Sequence, residues 1–157
     1  MDALKYEIVE VSPVDPVVLP LISAHLTLMR ASSPACSVHA MEPVDLANAG
    51  ARFFAVIDEG EAVAIGALKA LNDGYGELKS MHVRQDKRGS GLAKAVLLKL
   101  LDVAQEVGMH SVSLETGSQD VFAPARAFYQ RYGFRMCKPF ADYTSDPASV
   151  FFTLRLQ

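Results

Sequence analysis

One stretch of the chain sets backbone groups and charges at a spacing that can do chemistry. The strand-like segment Tyr75–Val83 runs into Arg84-Gln85-Asp86-Lys87-Arg88-Gly89-Ser90-Gly91, which opens directly onto Leu92-Ala93 and the most regular helical pattern present. A helix start leaves N–H groups without intrahelical acceptors and carries partial positive charge, so it suits phosphate. Gly89 and Gly91 allow the backbone to approach a ligand closely. Lys87 and Arg88 add charge beside them. The plainer reading is a tight strand-to-helix connection; the position between a strand and a helix is what favours an anion site.

Other phosphate motifs fit less well. The turn lacks the Gly-x-x-x-x-Gly-Lys-Ser/Thr pattern of a P-loop. A dinucleotide fingerprint requires a third glycine after Gly89 and Gly91, where Lys94 stands. Glu115 does close the next strand, where a ribose-binding acid could sit, yet the connection from Val83 to Gly89 is long for that turn. Cys36-x-x-His39 with His25 has a metal-like look, but without a second close ligand pair no metal is expected.

The elements that position this turn follow from hydrophobic period. Tyr6–Val11 alternates as an opening strand. Asp15 and Pro16 read as N-cap and first helical residue of a helix over Val17–Arg30, with Leu19, Ile22, Leu26 and Met29 inward. A loop spans Ala31–His39, and a short helix Pro43–Ala49 closes at Gly50. Arg52–Asp58 and Glu61–Leu71 form a hairpin about Glu59-Gly60, and Asp73-Gly74 turns into Tyr75–Val83. Leu92–Val107 carries the stripe Leu92, Val96, Leu97, Leu100, Leu101, Ala104, Val107. A strand at His110–Glu115, a helix Pro124–Tyr132, and strands Phe134–Phe140 and Val150–Leu156 complete the order. This predicts an α/β (α+β) chain whose 157 residues form one domain.

Composition excludes several classes. Half the residues are apolar and 21% are charged, with a mean hydropathy of +0.17, too apolar for disorder. Fifteen Lys+Arg against 18 Asp+Glu give −3, the wrong sign for general nucleic-acid binding. The run Val17–Ile22, interrupted by Pro20, falls far short of a membrane span. Met1–Lys5 does not read as a secretory signal, and Cys36 and Cys137 form no disulfide framework. A cytoplasmic protein without nucleic-acid or membrane partners is expected.

The run Arg88-Gly89-Ser90-Gly91-Leu92-Ala93, preceded by Glu77…Val83 and followed by Phe128-Tyr129…Gly133-Phe134, resembles the GNAT superfamily of acetyl-CoA-dependent N-acetyltransferases, over nearly the whole chain. A closer similarity, to the YsnE-type branch, rests on three groups of residues. These are His25…Met29…Ser33-Pro34…Ser37…His39-Ala40, then Leu114-Glu115-Thr116-Gly117-Ser118, then Pro139-Phe140-Ala141-Asp142-Tyr143…Asp146-Pro147…Ser149-Val150-Phe151. The resemblance implies one GNAT-type domain: a mixed, mostly antiparallel sheet of about seven strands flanked by about four helices. It implies acetyl-CoA as cosubstrate, its pyrophosphate held by amides of Arg88, Gly89, Ser90, Gly91, Leu92 and Ala93. The strand edge at Met81 and Val83 would pair with the pantetheine arm, with His82 close by, and the Met81 N–H would face the thioester carbonyl. Two departures stand out. Asp86 replaces the family's usual Gln or Arg at the first loop position, and Phe122 replaces a frequent Asn.

The resemblance also names the acid–base groups. An alkylammonium of pKa ~10.4 is only about one part in two thousand neutral at pH 7, so something must take its proton. Glu77 stands where relatives place a carboxylate base. A glutamate of ordinary pKa ~4.3 is too weak for direct transfer, so Glu77 is expected to act through water. The bland alternative is a solvated residue paired with Lys79 on the same strand face. Tyr129 matches the tyrosine that relatives use beside the sulfur. A hydrogen bond that strengthens as thiolate charge builds is sufficient there; otherwise Tyr129 is simply a core aromatic. For the acceptor, an unidentified primary amine, the candidates are His25, Arg30, Ser37 and His39 from one end and Glu115, Asp142, Tyr143 and Ser149 from the other. A covalent route through Cys36 or Cys137 is not expected, because neither sits in a motif that lowers a thiol pKa. A non-catalytic acyl-CoA-binding or sensing domain of the same fold is the alternative to an enzyme. Relatives are often homodimers.

Overall fold

The computed structural model describes residues 6–34 and 39–156. Its centre is a seven-stranded sheet in the order β1-β2-β3-β4-β5-β7-β6. The strands are β1 (Glu7–Val11), β2 (Arg52–Asp58), β3 (Glu61–Ala70), β4 (Tyr75–Val83), β5 (Ser111–Gly117), β6 (Arg135–Cys137) and β7 (Ser149–Arg155). Helices α1 (Leu19–Ser32) and α2 (Pro43–Asn48) precede β2, α3 (Leu92–Glu106) follows β4, and α4 (Ala123–Arg131) follows β5. Among the described residues no helix is long and apolar enough to cross a membrane.

The strand period of two sorts side chains to opposite faces. On β2, Phe53 and Ala55 pack with Leu21, Ile22 and Leu26 of α1 and Leu46 of α2. Phe54 and Val56 pack on the other face with Val96, Leu97, Leu100 and Ala104 of α3 and with Tyr129 of α4. Two helical layers thus sandwich the sheet. Glu59 (φ 52) and Gly60 (φ 79) both occupy the left-handed region, as a two-residue hairpin turn of matching twist requires.

Several sequence-based boundaries shift for local reasons. The first helix begins at Leu19 rather than Val17, with Val18 as N-cap. Asp15 shapes the preceding turn: its carboxylate accepts the Val17 N–H at 2.9 Å and its carbonyl accepts the Val18 N–H at 3.1 Å. Leu19 is consequently 38% exposed while Leu21 is buried. On α3, Val107 lies outside the helix and 53% exposed, and Val103 takes the inward position. The strand expected over Phe134–Phe140 is limited to β6, whose ladder with β7 ends at Cys137; Pro139, which has no N–H to donate, follows closely.

Two irregularities shape the centre of the sheet. Among the described residues β4 and β5 are the one parallel pair, and they are registered only from Tyr75↔Ser111 to Glu77↔Ser113. Beyond Glu77 the two strands part, while β5 remains paired with β7 as far as Gly117↔Ser149. On its other edge β4 slips by one residue against β3, between the pairs Ala67↔Lys79 and Ile65↔His82. The additional residue lies at Ser80-Met81, where Ser80 takes φ 58. A bulge of this kind bends its strand and re-aims the residues around it.

Candidate active site

The splay between β4 and β5 opens a cleft of about 640 Å³ that runs without a break along β4. At one end it is lined by Lys87, Arg88, Gly89, Gly91 and Lys94; at the other, by His25, His39, Glu77, Lys79 and Glu115. Met81, His82, Val83 and Tyr129 line the stretch between.

At the turn, Gly89 (φ 81) and Gly91 (φ 86) both adopt left-handed backbone. Gly91 is the N-cap of α3, and the first bond it receives comes from Ala95 N–H. Helix geometry therefore leaves the N–H groups of Leu92, Ala93 and Lys94 without intrahelical acceptors. A Cβ placed on Gly89 would meet no atom within 4 Å, so its glycine answers to backbone conformation and leaves open space for a ligand. The anomalous Asp86 is neutralised: Arg84 grips both its carboxylate oxygens, at 2.6 and 3.0 Å. Lys87 stands 3.4 Å from Asp58, Arg88 Nε donates to Val83 O at 3.1 Å, and Ser90 Oγ donates to Lys87 O.

At the bulge, Gly66 of β3 lies directly beneath Met81. A Cβ at Gly66 would come within 2.7 Å of Met81 Sδ and of Val96 Cγ1, so the strand and α3 close over a glycine. Sequence reasoning missed this feature, although a glycine inside a strand pattern is its recognised signal.

At the other end, Glu77 is buried, 3% exposed. It is not solvated, but it is paired: Lys79 Nζ lies 3.2 Å from its Oε2. Tyr143, on the loop between β6 and β7, donates its hydroxyl to the same oxygen at 2.5 Å and accepts from Lys79 at 3.0 Å. Lys79 also reaches the carbonyl of His39 at 3.5 Å. Burial beside Glu77 holds the Tyr143 phenol far above its ordinary pKa, so it remains a donor.

His39 and Glu115, expected from opposite ends, meet at 2.9 Å through Nδ1 and Oε2. Ser149 donates to the same oxygen at 2.6 Å. His25 of α1 meets His82 of β4, Nδ1 to Nδ1 at 3.1 Å, a contact that no sequence spacing signals. Arg30 does not line the cleft; it is exposed and paired with Glu42 at 2.5 Å. Asp142 is exposed. Ser37 and Cys36 lie outside the described residues, and Cys137 carries a free thiol.

Tyr129 is 7% exposed and packs edge-on against Phe128 and Phe134. Burial raises its phenol well above the usual value. Phe122, at the other departure from the family pattern, is buried and also lines the cleft.

Comparison with known proteins agrees with this geometry. The Acetyltransferase (GNAT) family profile matches residues 21–134. The chain is 40% identical over 139 residues to the uncharacterized N-acetyltransferase YsnE of Bacillus subtilis, covering 88% of this chain and 92% of that protein. A crystal structure from Klebsiella pneumoniae, assigned to the acyl-CoA N-acyltransferases, superimposes with a TM-score of 0.79 at 29% identity, covering 97% and 98% of the two chains. A GNAT acetyltransferase from Elizabethkingia anophelis with acetyl-CoA bound shares the fold with a TM-score of 0.71 at 16% identity, covering 96% and 98%. With that match across the splayed strands and the glycine turn, the chain belongs to the GNAT acetyltransferase family and is an acyltransferase of the YsnE-like kind.

Proposed function

We propose that this protein transfers the acetyl group of acetyl-CoA to a primary amine by direct attack while both are bound. The observation that carries this reading is the edge of β4 that β5 leaves free beyond Glu77. It connects a positively charged, glycine-bearing helix start to a buried carboxylate through one cleft. The residues suit the coenzyme, since the open space at Gly89 and the bare first-turn amides form a cradle for a diphosphate.

Acetyl-CoA supplies an activated acyl group. Amides from Arg88 to Ala93 hold its diphosphate, and the edge at Met81, His82 and Val83 offers backbone partners to an extended arm, as an added strand would. The Met81 N–H is the donor toward the acyl oxygen. Tyr129, whose proton is held by burial, contributes a hydrogen bond to the leaving sulfur and no proton transfer.

Glu77 draws the acceptor's ammonium into the cleft and orders the water through which its proton leaves. Lys79 and Tyr143 fix that carboxylate from behind. His25, His39 and Glu115 line the acceptor's place, with Ser149 securing Glu115. Arg30, turned to Glu42, has no role in this reading.

The test is calorimetric titration with acetyl-CoA, followed by thiol release measured against a panel of primary amines. Turnover with an amine supports the enzyme. Acetyl-CoA binding with no turnover across the panel assigns the chain to acyl-CoA sensing instead.

A further inference from the structure

Two histidines from different elements meet in the cleft, and the atoms through which they meet restrict what each can do. His25 comes from α1 and His82 from β4; their Nδ1 atoms are 3.1 Å apart, with the rings edge-on at 76°. One Nδ1 must carry the hydrogen and the other must accept it. The donor ring then presents a bare Nε2 lone pair, and the acceptor ring presents an Nε2–H. Both rings line the cleft, and among the described residues neither Nε2 has a protein partner.

We infer that His25 and His82 form a proton relay that carries the acceptor amine's proton from the buried end of the cleft to its mouth. The inference rests on the acetyltransferase reading and adds to it the proton's exit route. A proton arriving at Nε2 of His25 releases the Nδ1 hydrogen of that ring to Nδ1 of His82. The Nε2 hydrogen of His82 then passes to water. Each ring ends neutral with its tautomer exchanged, and the pair resets through water.

The direction follows from placement. His25 is 9% exposed and lies within the field of Lys79, the lysine paired with Glu77. His82 is more open and lies within the field of Arg88, toward the turn. Burial and these cations hold the rings neutral, His25 at about 3 and His82 at about 4, so the relay works by concerted transfers in which each ring gives up one proton as it gains another and neither stays charged.

Nitrogen-15 NMR of the full-length protein reads the tautomers directly. One Nδ1–H ring and one Nε2–H ring are expected, both neutral between about pH 6 and 8. Two Nε2–H rings, or a ring that titrates near its ordinary value, overturn the relay. In kinetics, His25→Ala should lower kcat about 100-fold, leave acetyl-CoA affinity unchanged and recover with added imidazole, which a structural role would not do. Should His25→Ala fail to fold, His82→Gln on the more open ring is expected to show the same loss. Wild-type kcat in a folded variant overturns the relay alone. Wild-type protein that turns over no amine overturns the acetyltransferase reading and the relay with it.

Discussion

Tyr143 donates its hydroxyl to Oε2 of Glu77 at 2.5 Å across 66 positions of sequence, and Lys79 closes the triangle with contacts to both. A loop that has left the sheet thus returns to hold the carboxylate at the heart of the cleft. Phe140 and Phe151 pack on the Tyr143 ring, so the ring is fixed independently of its hydroxyl.

Tyr143→Phe therefore keeps the packing and removes only the hydrogen bonds. The loss should be about 1.5–3 kcal/mol of stability, as for hydrogen bonds to charged groups. Turnover with the best amine should fall about tenfold, equivalent to about 1.4 kcal/mol, while acetyl-CoA affinity holds. Urea denaturation and thiol release check both.

Glu77→Gln removes the countercharge of a lysine whose side chain is only 8% exposed. Breaking a buried pair in this way costs about 3–5 kcal/mol. The double variant Glu77→Gln with Lys79→Met should recover most of that stability but none of the rate. The rate loss in Glu77→Gln should deepen as pH falls, because the ammonium is then harder to deprotonate; a pH profile of thiol release measures it.

Gly89→Val places a β-branched residue at φ 81, a conformation that costs an L-residue about 1–2 kcal/mol. It also fills the open space of the proposed diphosphate cradle. Acetyl-CoA dissociation constants should rise at least about tenfold, or about 1.4 kcal/mol, by calorimetry. Unchanged affinity would place the coenzyme elsewhere.

Tyr129→Phe leaves the ring contacts with Phe128 and Phe134 intact. Stability should change by less than about 0.5 kcal/mol, while kcat falls more than KM, as for a contact made in the transition state. An unaltered kcat in a chemistry-limited assay counts against the role.

The two cleft histidines are expected to contribute to the protein's acid sensitivity. Their folded values, about 3 and about 4, lie below the ordinary 6.5. Their contribution is therefore complete above pH 6.5 and is lost as pH falls through the folded values. The melting temperature should decline over that range in the wild-type protein, and less steeply in the double variant His25→Phe with His82→Phe.

Most strands and helices were legible in the sequence because hydrophobic period and turn chemistry are local properties. Arg52–Asp58 and Tyr75–Val83 appear in the structure with the expected bounds, and Gly89 and Gly91 announce by type and position the left-handed turn that opens α3. The helix start at Leu19 was missed because Asp15 could cap either a helix or the turn before it, and packing chose the turn. Only the tertiary structure decided that β4 and β5 part after Glu77. It alone brought Tyr143 to Glu77, His39 to Glu115 and His25 to His82. Those pairs are long-range. Local propensity carries no record of which distant side chains close on one another, because that is settled when helices on both faces bury the sheet and the strands between them find their register.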